Sequence, residues 1–223
     1  VRAFPYRLVT GYHRLKSTCK TTYQSSDSIV EKSVFAYDTE RPYNIISKSS
    51  LCSGGVEQVE RTYYSNNTIP DKESLTTSQR SAIQLLTSRN YLTTPVQQTM
   101  EKKDKRLYSV LRGYSSSLSS GMVVEDQYYC KGTDKYEKRI SYNKYDIYGN
   151  PVYINKDGAE KVVYLWGYKG QYLLAEIKGA TYEEVKKALT MDPASMSSCL
   201  PSSIPLYLNL IDNLYKALPS ALI

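Results

Sequence analysis

Short runs of alternating side chains, cut by turn residues about every 8–12 positions, set the tightest limit on how this chain folds. Residues 12–24 put Leu15, Cys19 and Tyr23 on one side of an extended segment and Arg14, Lys16, Thr18 and Lys20 on the other. Tyr136, Ile140 and Tyr142 alternate in the same way with Glu137, Arg139, Ser141 and Asn143. A period of two is what a pleated strand imposes, and a wetted face explains the polar half. Further strands are predicted over 29–37, 44–48, 56–64, 95–102, 106–115, 121–130, 152–155, 161–166 and 172–177. Between them lie turns at Ser53-Gly54-Gly55, at 115–121, at Tyr148-Gly149-Asn150-Pro151 and at 167–170, with Asp157-Gly158 as a two-residue hairpin. The fold class that follows is mainly β: an antiparallel hairpin meander of about ten strands, as one curved sheet or two packed sheets.

The aromatic content agrees. The chain holds 23 Tyr against 2 Phe and 1 Trp, so most aromatic burial comes from a ring with one polar end. In a sealed core each hydroxyl needs its own partner, whereas a half-wet sheet lets it reach water or backbone.

Two regions break the alternation. Leu75, Ala82, Ile83 and Leu86 fit one face of a short middle helix over 75–88, with Thr77 or Ser78 as its N-cap. Near the C-terminus, Thr181 and Glu184 form a capping box ahead of Val185, Ala188 and Leu189. A second helix is predicted from Ile204 to Leu218 behind Ser203, with Leu206, Leu210, Ile211, Leu214 and Leu218 on its apolar face. The Ser/Pro-rich linker 192–203 is expected to be a place for disorder. The chain thus divides into a β module over 1–178 and a helical cap over 179–223 packed on the sheet.

Reactive constellations are hard to find. The only histidine, His13, falls in a predicted strand, and there is no nucleophile elbow or phosphate-binding loop. Asp126, Glu137 and Asp146 are the carboxylates to test for a glycosidase pair, which needs roughly 5–10 Å between them. Cys19, Cys52, Cys130 and Cys199 are too widely spaced for a zinc site and read as free, partly buried thiols. No catalytic, cofactor-binding or metal-binding residue is predicted, and no cofactor.

Net charge is +7 and the sequence pI about 9.0, which admits a polyanion partner. The cluster Lys102, Lys103, Lys105 and Arg106 reads as a solvated turn. Lys135, Tyr136, Lys138 and Arg139 interleave cations with an aromatic and are the candidate contacts for an acidic surface polysaccharide. Nucleic acid is not expected as a partner. No 18-residue apolar window spans a membrane, and residues 1–13 lack the apolar core of a signal peptide. The ends read as those of a piece of a longer protein.

Residues 144–189 carry a likeness. Tyr145-Asp146, then Gly149-Asn150, a short strand and Asp157-Gly158 resemble a YD repeat of the RHS family. The continuation through Tyr164-Leu165-Trp166-Gly167-Tyr168, Ala175-Glu176-Ile177 and Ala180-Thr181-Tyr182 is similar to a segment of large exported RHS-like surface proteins of Bacteroidetes-type bacteria. Tyr37-Asp38 with Asn44 resembles a degenerate copy. The resemblance implies a cell-surface or secreted setting, other repeats of the same parent chain as partners, and a non-catalytic scaffold role. The alternative is a binding module for an acidic glycan or other polyanion.

Overall fold

The computed structural model describes residues 11, 13–25, 27–51, 55–118, 121–198 and 204–223. Eleven strands form a single antiparallel sheet in which each strand pairs with its neighbours in sequence. They are β1 (Ser17–Gln24), β2 (Asp27–Tyr37), β3 (Ile45–Leu51), β4 (Glu57–Tyr64), β5 (Pro95–Lys102), β6 (Lys105–Leu118), β7 (Gly121–Lys131), β8 (Glu137–Tyr145), β9 (Pro151–Lys156), β10 (Glu160–Gly167) and β11 (Tyr172–Lys178). The mainly β meander is therefore one sheet, not two packed ones.

Side chains that pair across strands share a face, so the registers sort the residues. Leu111, Gly113, Val163, Leu165 and Ile177 fall on the face that carries the helices. There α1 (Thr77–Ser88) sits on β6 and β7, burying Ala82, Ile83 and Leu86 with Leu111. A second cluster joins Val163, Leu165 and Ile177 to α2 (Tyr182–Leu189), a 3-10 segment Pro193–Ser198 and α3 (Ile204–Ala217) through Val185, Leu189, Met196 and Leu214. The opposite face carries Tyr108, Arg112, Tyr114, Tyr129, Tyr142 and Tyr164.

Several details differ from the sequence expectation. The α1 cap is Thr76, one residue earlier than foreseen, because Gln79 rather than a Glu completes its capping box. The Asp157-Gly158 turn gains a residue: both have positive φ and Ala159 N–H bonds Lys156 O at 3.1 Å, yet Glu160 is the residue that pairs with Lys156. The expected disorder at 192–203 gives way over Pro193–Ser198 to a packed segment with Pro193, Met196 and Ser197 buried. His13 precedes β1 and is exposed, outside any strand. Neither side of the β1–β2 hairpin is buried near its tip, so the alternation at 12–24 does not line a core. Cys19 is free and exposed, Cys130 free and buried. Cys52, Ser53, Gly54, Cys199, Ser203 and the side chain of Leu206 lie outside the described residues. The capping box at Thr181 and Glu184 forms as expected.

Candidate functional site

Each even-numbered strand carries an aromatic side chain, the last or next-to-last residue except in β6, whose polar atom donates to a carbonyl in or just ahead of the preceding strand. Tyr37 Oη reaches Leu15 O at 2.9 Å, Tyr64 Oη reaches Ile45 O at 3.0 Å and Tyr114 Oη reaches Pro95 O at 2.9 Å. Tyr145 Oη reaches Val124 O at 2.5 Å and Trp166 Nε1 reaches Pro151 O at 2.8 Å. Carried past the strand ends, the registers set Tyr37, Tyr64, Tyr114 and Trp166 opposite Arg14, Asn44, Thr94 and Asn150. In each of these four the donor takes the carbonyl one residue further along. The Tyr145 bond falls one residue off that rule, in a strand pair whose register is shifted. Burial pushes the Tyr114 hydroxyl up to about 12, so it stays a donor throughout the physiological range.

The residue after the aromatic makes the next junction. Asp38 N–H bonds Asn44 O at 2.9 Å, Ser65 N–H bonds Thr94 O at 3.0 Å and Asp146 N–H bonds Asn150 O at 2.9 Å. Asp146, buried, also gathers its own turn: Oδ1 accepts from Tyr148 N–H at 2.9 Å and Asn150 N–H at 2.8 Å, and Oδ2 from Asn150 Nδ2 at 3.1 Å. Gly149 takes φ of 85° inside that turn, where a β-carbon is strained. Asp38 repeats the plan, accepting from Glu40 and Arg41 N–H at 2.8 and 2.9 Å and from Asn67 Nδ2 at 3.1 Å. The Arg41 amide, followed by the Asn67 side chain, holds the Asp38 carboxyl below its ordinary range. Asp157 and Gly158 form a separate hairpin tip, with Asp157 paired to Arg139 at 3.1 Å.

Of the three candidate carboxylates, Asp126 lines a cleft whose lining includes neither Glu137 nor Asp146. A bulge in β7 leaves Glu125 unpaired between Asp126, opposite Gly113, and Val124, opposite Tyr114. It turns both carboxylates to Gln79, whose Nε2 donates to Glu125 Oε2 and Asp126 Oδ2 at 3.0 Å each. Asp126 further accepts from Ser141 Oγ at 2.8 Å and Tyr128 Oη at 3.3 Å, and pairs with Lys138 at 3.5 Å. Gln79, Ser141 and Lys138 each donate to this carboxylate, and the single Tyr128 proton is shared between it and Gln79 Oε1. The cleft beside it, about 320 Å³, has Glu125 and Asp126 as its acids, while Glu137 pairs with Arg139 and Asp146 is spent in its turn. A groove of about 800 Å³ between α1 and the connection ahead of it offers Glu73 alone, already paired with Arg80. Among the described residues no cluster of His, Cys, Asp and Glu is placed to hold a metal ion, and no helix is long and apolar enough to cross a membrane.

The four candidate polyanion contacts are dispersed. Tyr136 Oη is drawn inward to Asp71 Oδ2 at 2.9 Å and Ser109 Oγ at 2.6 Å. Lys138 faces Asp126, Arg139 is held by Glu137 and Asp157 with its guanidinium 6.0 Å from the Tyr129 ring, and Lys135 stands exposed in the turn before β8. Tyrosines elsewhere stack on each other: Tyr108 with Tyr129 at 5.9 Å and Tyr142 with Tyr145 at 6.1 Å between ring centres. Rings paired in this way spend a face on each other that a sugar would otherwise cover.

Sequence reasoning singled out Tyr37-Asp38 and Tyr145-Asp146 as YD-type strings without foreseeing their hydrogen bonds, and gave Tyr64, Tyr114 and Trp166 no such role. Their signal is a Tyr or Trp in every second strand, at or next to its end except in β6, whatever residue follows. In comparison with known proteins, no family model matches the chain and no curated protein matches it.

Proposed function

We propose that this chain is a non-catalytic structural module of a cell-surface or secreted RHS-like protein, contributing a length of β wall to a larger parent chain. The observation behind the reading is the five-fold recurrence of the aromatic-to-carbonyl lock. A device repeated at every second strand pair serves the register of the sheet, since an enzyme site needs one special place and not five equal ones. Acids that would be reactive are instead engaged by Gln79, Ser141, Lys138 and backbone amides.

The test has two arms. The folded chain is screened against a broad panel of glycoside, ester and peptide substrates, and no turnover is expected. The parent protein is labelled on intact cells with a membrane-impermeant amine reagent, and lysines of this module are expected to react. Turnover by the folded chain, or a parent found only inside unlabelled cells, overturns the reading.

A further inference from the structure

The two ends of the sheet are unlike. At β11 the last backbone positions are closed: Lys178 N–H bonds Leu222 O at 2.8 Å and Leu222 N–H bonds Lys178 O at 3.1 Å, beside the helical cap. At β1 the described structure shows no such closure. Phe35 N–H bonds Lys16 O at 2.9 Å, which fixes the phase of the β1–β2 ladder. In an antiparallel pair the hydrogen-bonded positions alternate, so Thr18, Lys20 and Thr22 turn their backbone groups to β2. Ser17, Cys19, Thr21 and Tyr23 turn theirs outward.

Among the described residues this edge has few of the usual guards. Its eight-residue ladder is regular, without proline or bulge, and its Lys20 is drawn to Glu31 on β2 at 3.8 Å. Among the described residues, Asp27–Lys32 of β2 pair with β1 alone, because the β3 register begins at Ser33. The hairpin tip is thus a two-stranded ribbon, an arrangement marginal in water by itself. It nonetheless exposes apolar side chains on both faces, with Tyr23 81%, Ile29 58% and Val30 56% accessible.

We propose that the outer edge of β1 accepts a strand from a further aromatic-locked strand pair of the same parent chain. The inference rests on the scaffold reading and extends it to a particular edge and a particular occupant. Continuity argues for that occupant: at β3, β5 and β9 the neighbour on the same side is an antiparallel strand ending in Tyr followed by a polar residue, joined through the amide of that residue. A strand laid on β1 completes the same junction a fourth time. A second copy paired through its own β1 fits less well, since it brings Lys16 and Lys20 of both chains to one seam.

The experiment duplicates the chain's own β7–β8 segment with its junction residue, Gly121–Asp146, by fusion ahead of Val1 with a flexible linker, and follows amide exchange in the full chain. Exchange at Ser17, Cys19, Thr21 and Tyr23 is expected to slow by about tenfold or more, with Thr18, Lys20 and Thr22 little changed. A fusion of scrambled sequence is expected to protect none of the four. The synthetic 26-residue segment added in trans must give the same alternating pattern, which keeps the test sound if the fusion misfolds. Unchanged exchange at the four outward amides in both formats overturns the proposal. So does an unfused chain that is dimeric with those amides already protected. Neither result bears on turnover or surface labelling, so the scaffold reading fails or survives separately.

Discussion

Gly113 lies directly under Gln79, and an added β-carbon would meet its Cδ, Nε2 and Oε1 at 2.4, 2.5 and 2.7 Å. In an ordinary place the end of a flexible side chain would swing aside. Here the amide is 1% exposed and tied on both sides: Nε2 to two carboxylates at 3.0 Å, Oε1 to Thr76 N–H and Tyr128 Oη at 3.2 Å each. Gly113→Ala therefore displaces the residue that fastens α1 to the β7 bulge. Losing the reciprocal half of the capping box, the Thr76 N–H bond to Gln79 Oε1, costs about 1 kcal/mol as a single lost hydrogen bond. Hydrogen bonds to charged partners contribute roughly 1.5–3 kcal/mol each, and Asp126 keeps three of its four donors, so about one such bond is lost in full. Restricting the unfolded chain returns about 0.5–1 kcal/mol. The net is a destabilisation of about 2–3 kcal/mol, or a melting temperature lower by roughly 4–12 °C for a chain of this length. Calorimetry on the single variants and the double variant with Gln79→Ala supplies the check. The two substitutions are expected to be strongly non-additive, because each removes the same contacts. A Gly113→Ala protein melting within about 2 °C of the parent, or losses that simply add, would refute the reasoning.

Three further outcomes follow from the same contacts. Tyr114→Phe leaves the Pro95 carbonyl without its donor inside the sheet and is expected to cost about 1 kcal/mol by denaturant titration, whereas Tyr172→Phe at a 61% exposed position is expected to be silent. Acid unfolding depends on Asp38: its carboxyl is depressed in the folded chain, so its contribution is present above the ordinary aspartate range near ~3.9 and lost as pH falls through the folded value. Asp38→Asn is expected to flatten the stability profile in that window, and an unchanged slope counts against the Asp38 turn. On the alkaline side Tyr114 is raised to about 12, so its contribution is present below the ordinary tyrosine value near ~10 and lost as pH climbs toward the folded one. Ultraviolet titration of the wild type should show one more late-ionising phenol than Tyr114→Phe does.

Strand positions were legible because turn residues and alternation are local, and so was the box at Thr181, whose four residues contain its whole chemistry. What lies across the sheet was not. Tyr136 and Lys138 look like neighbours of Arg139 along the chain, yet Tyr136 and Lys138 are drawn to Asp71 and Asp126 on the helix side, whereas Arg139 lies over Tyr129 on the other. The carboxylates of Glu125 and Asp126 should alternate, and only the bulge, invisible in composition, sends both to Gln79. Tyr64, Tyr114 and Trp166 escaped notice because the locks recur by strand and not by residue count. The lengths between them vary with the connections, so no fixed period is written in the chain.

That variation has a use. The long excursion from Ser65 to Thr94, helix included, leaves and re-enters the sheet through one amide-to-carbonyl contact, as the short loops at Asp38–Asn44 and Asp146–Asn150 do. The ladder thus reads only where a connection departs and returns, and is blind to what it carries. New segments can be spliced at such points while the flanking ribbons keep their alignment, which makes each a natural place for a lineage to graft cargo onto an unaltered frame.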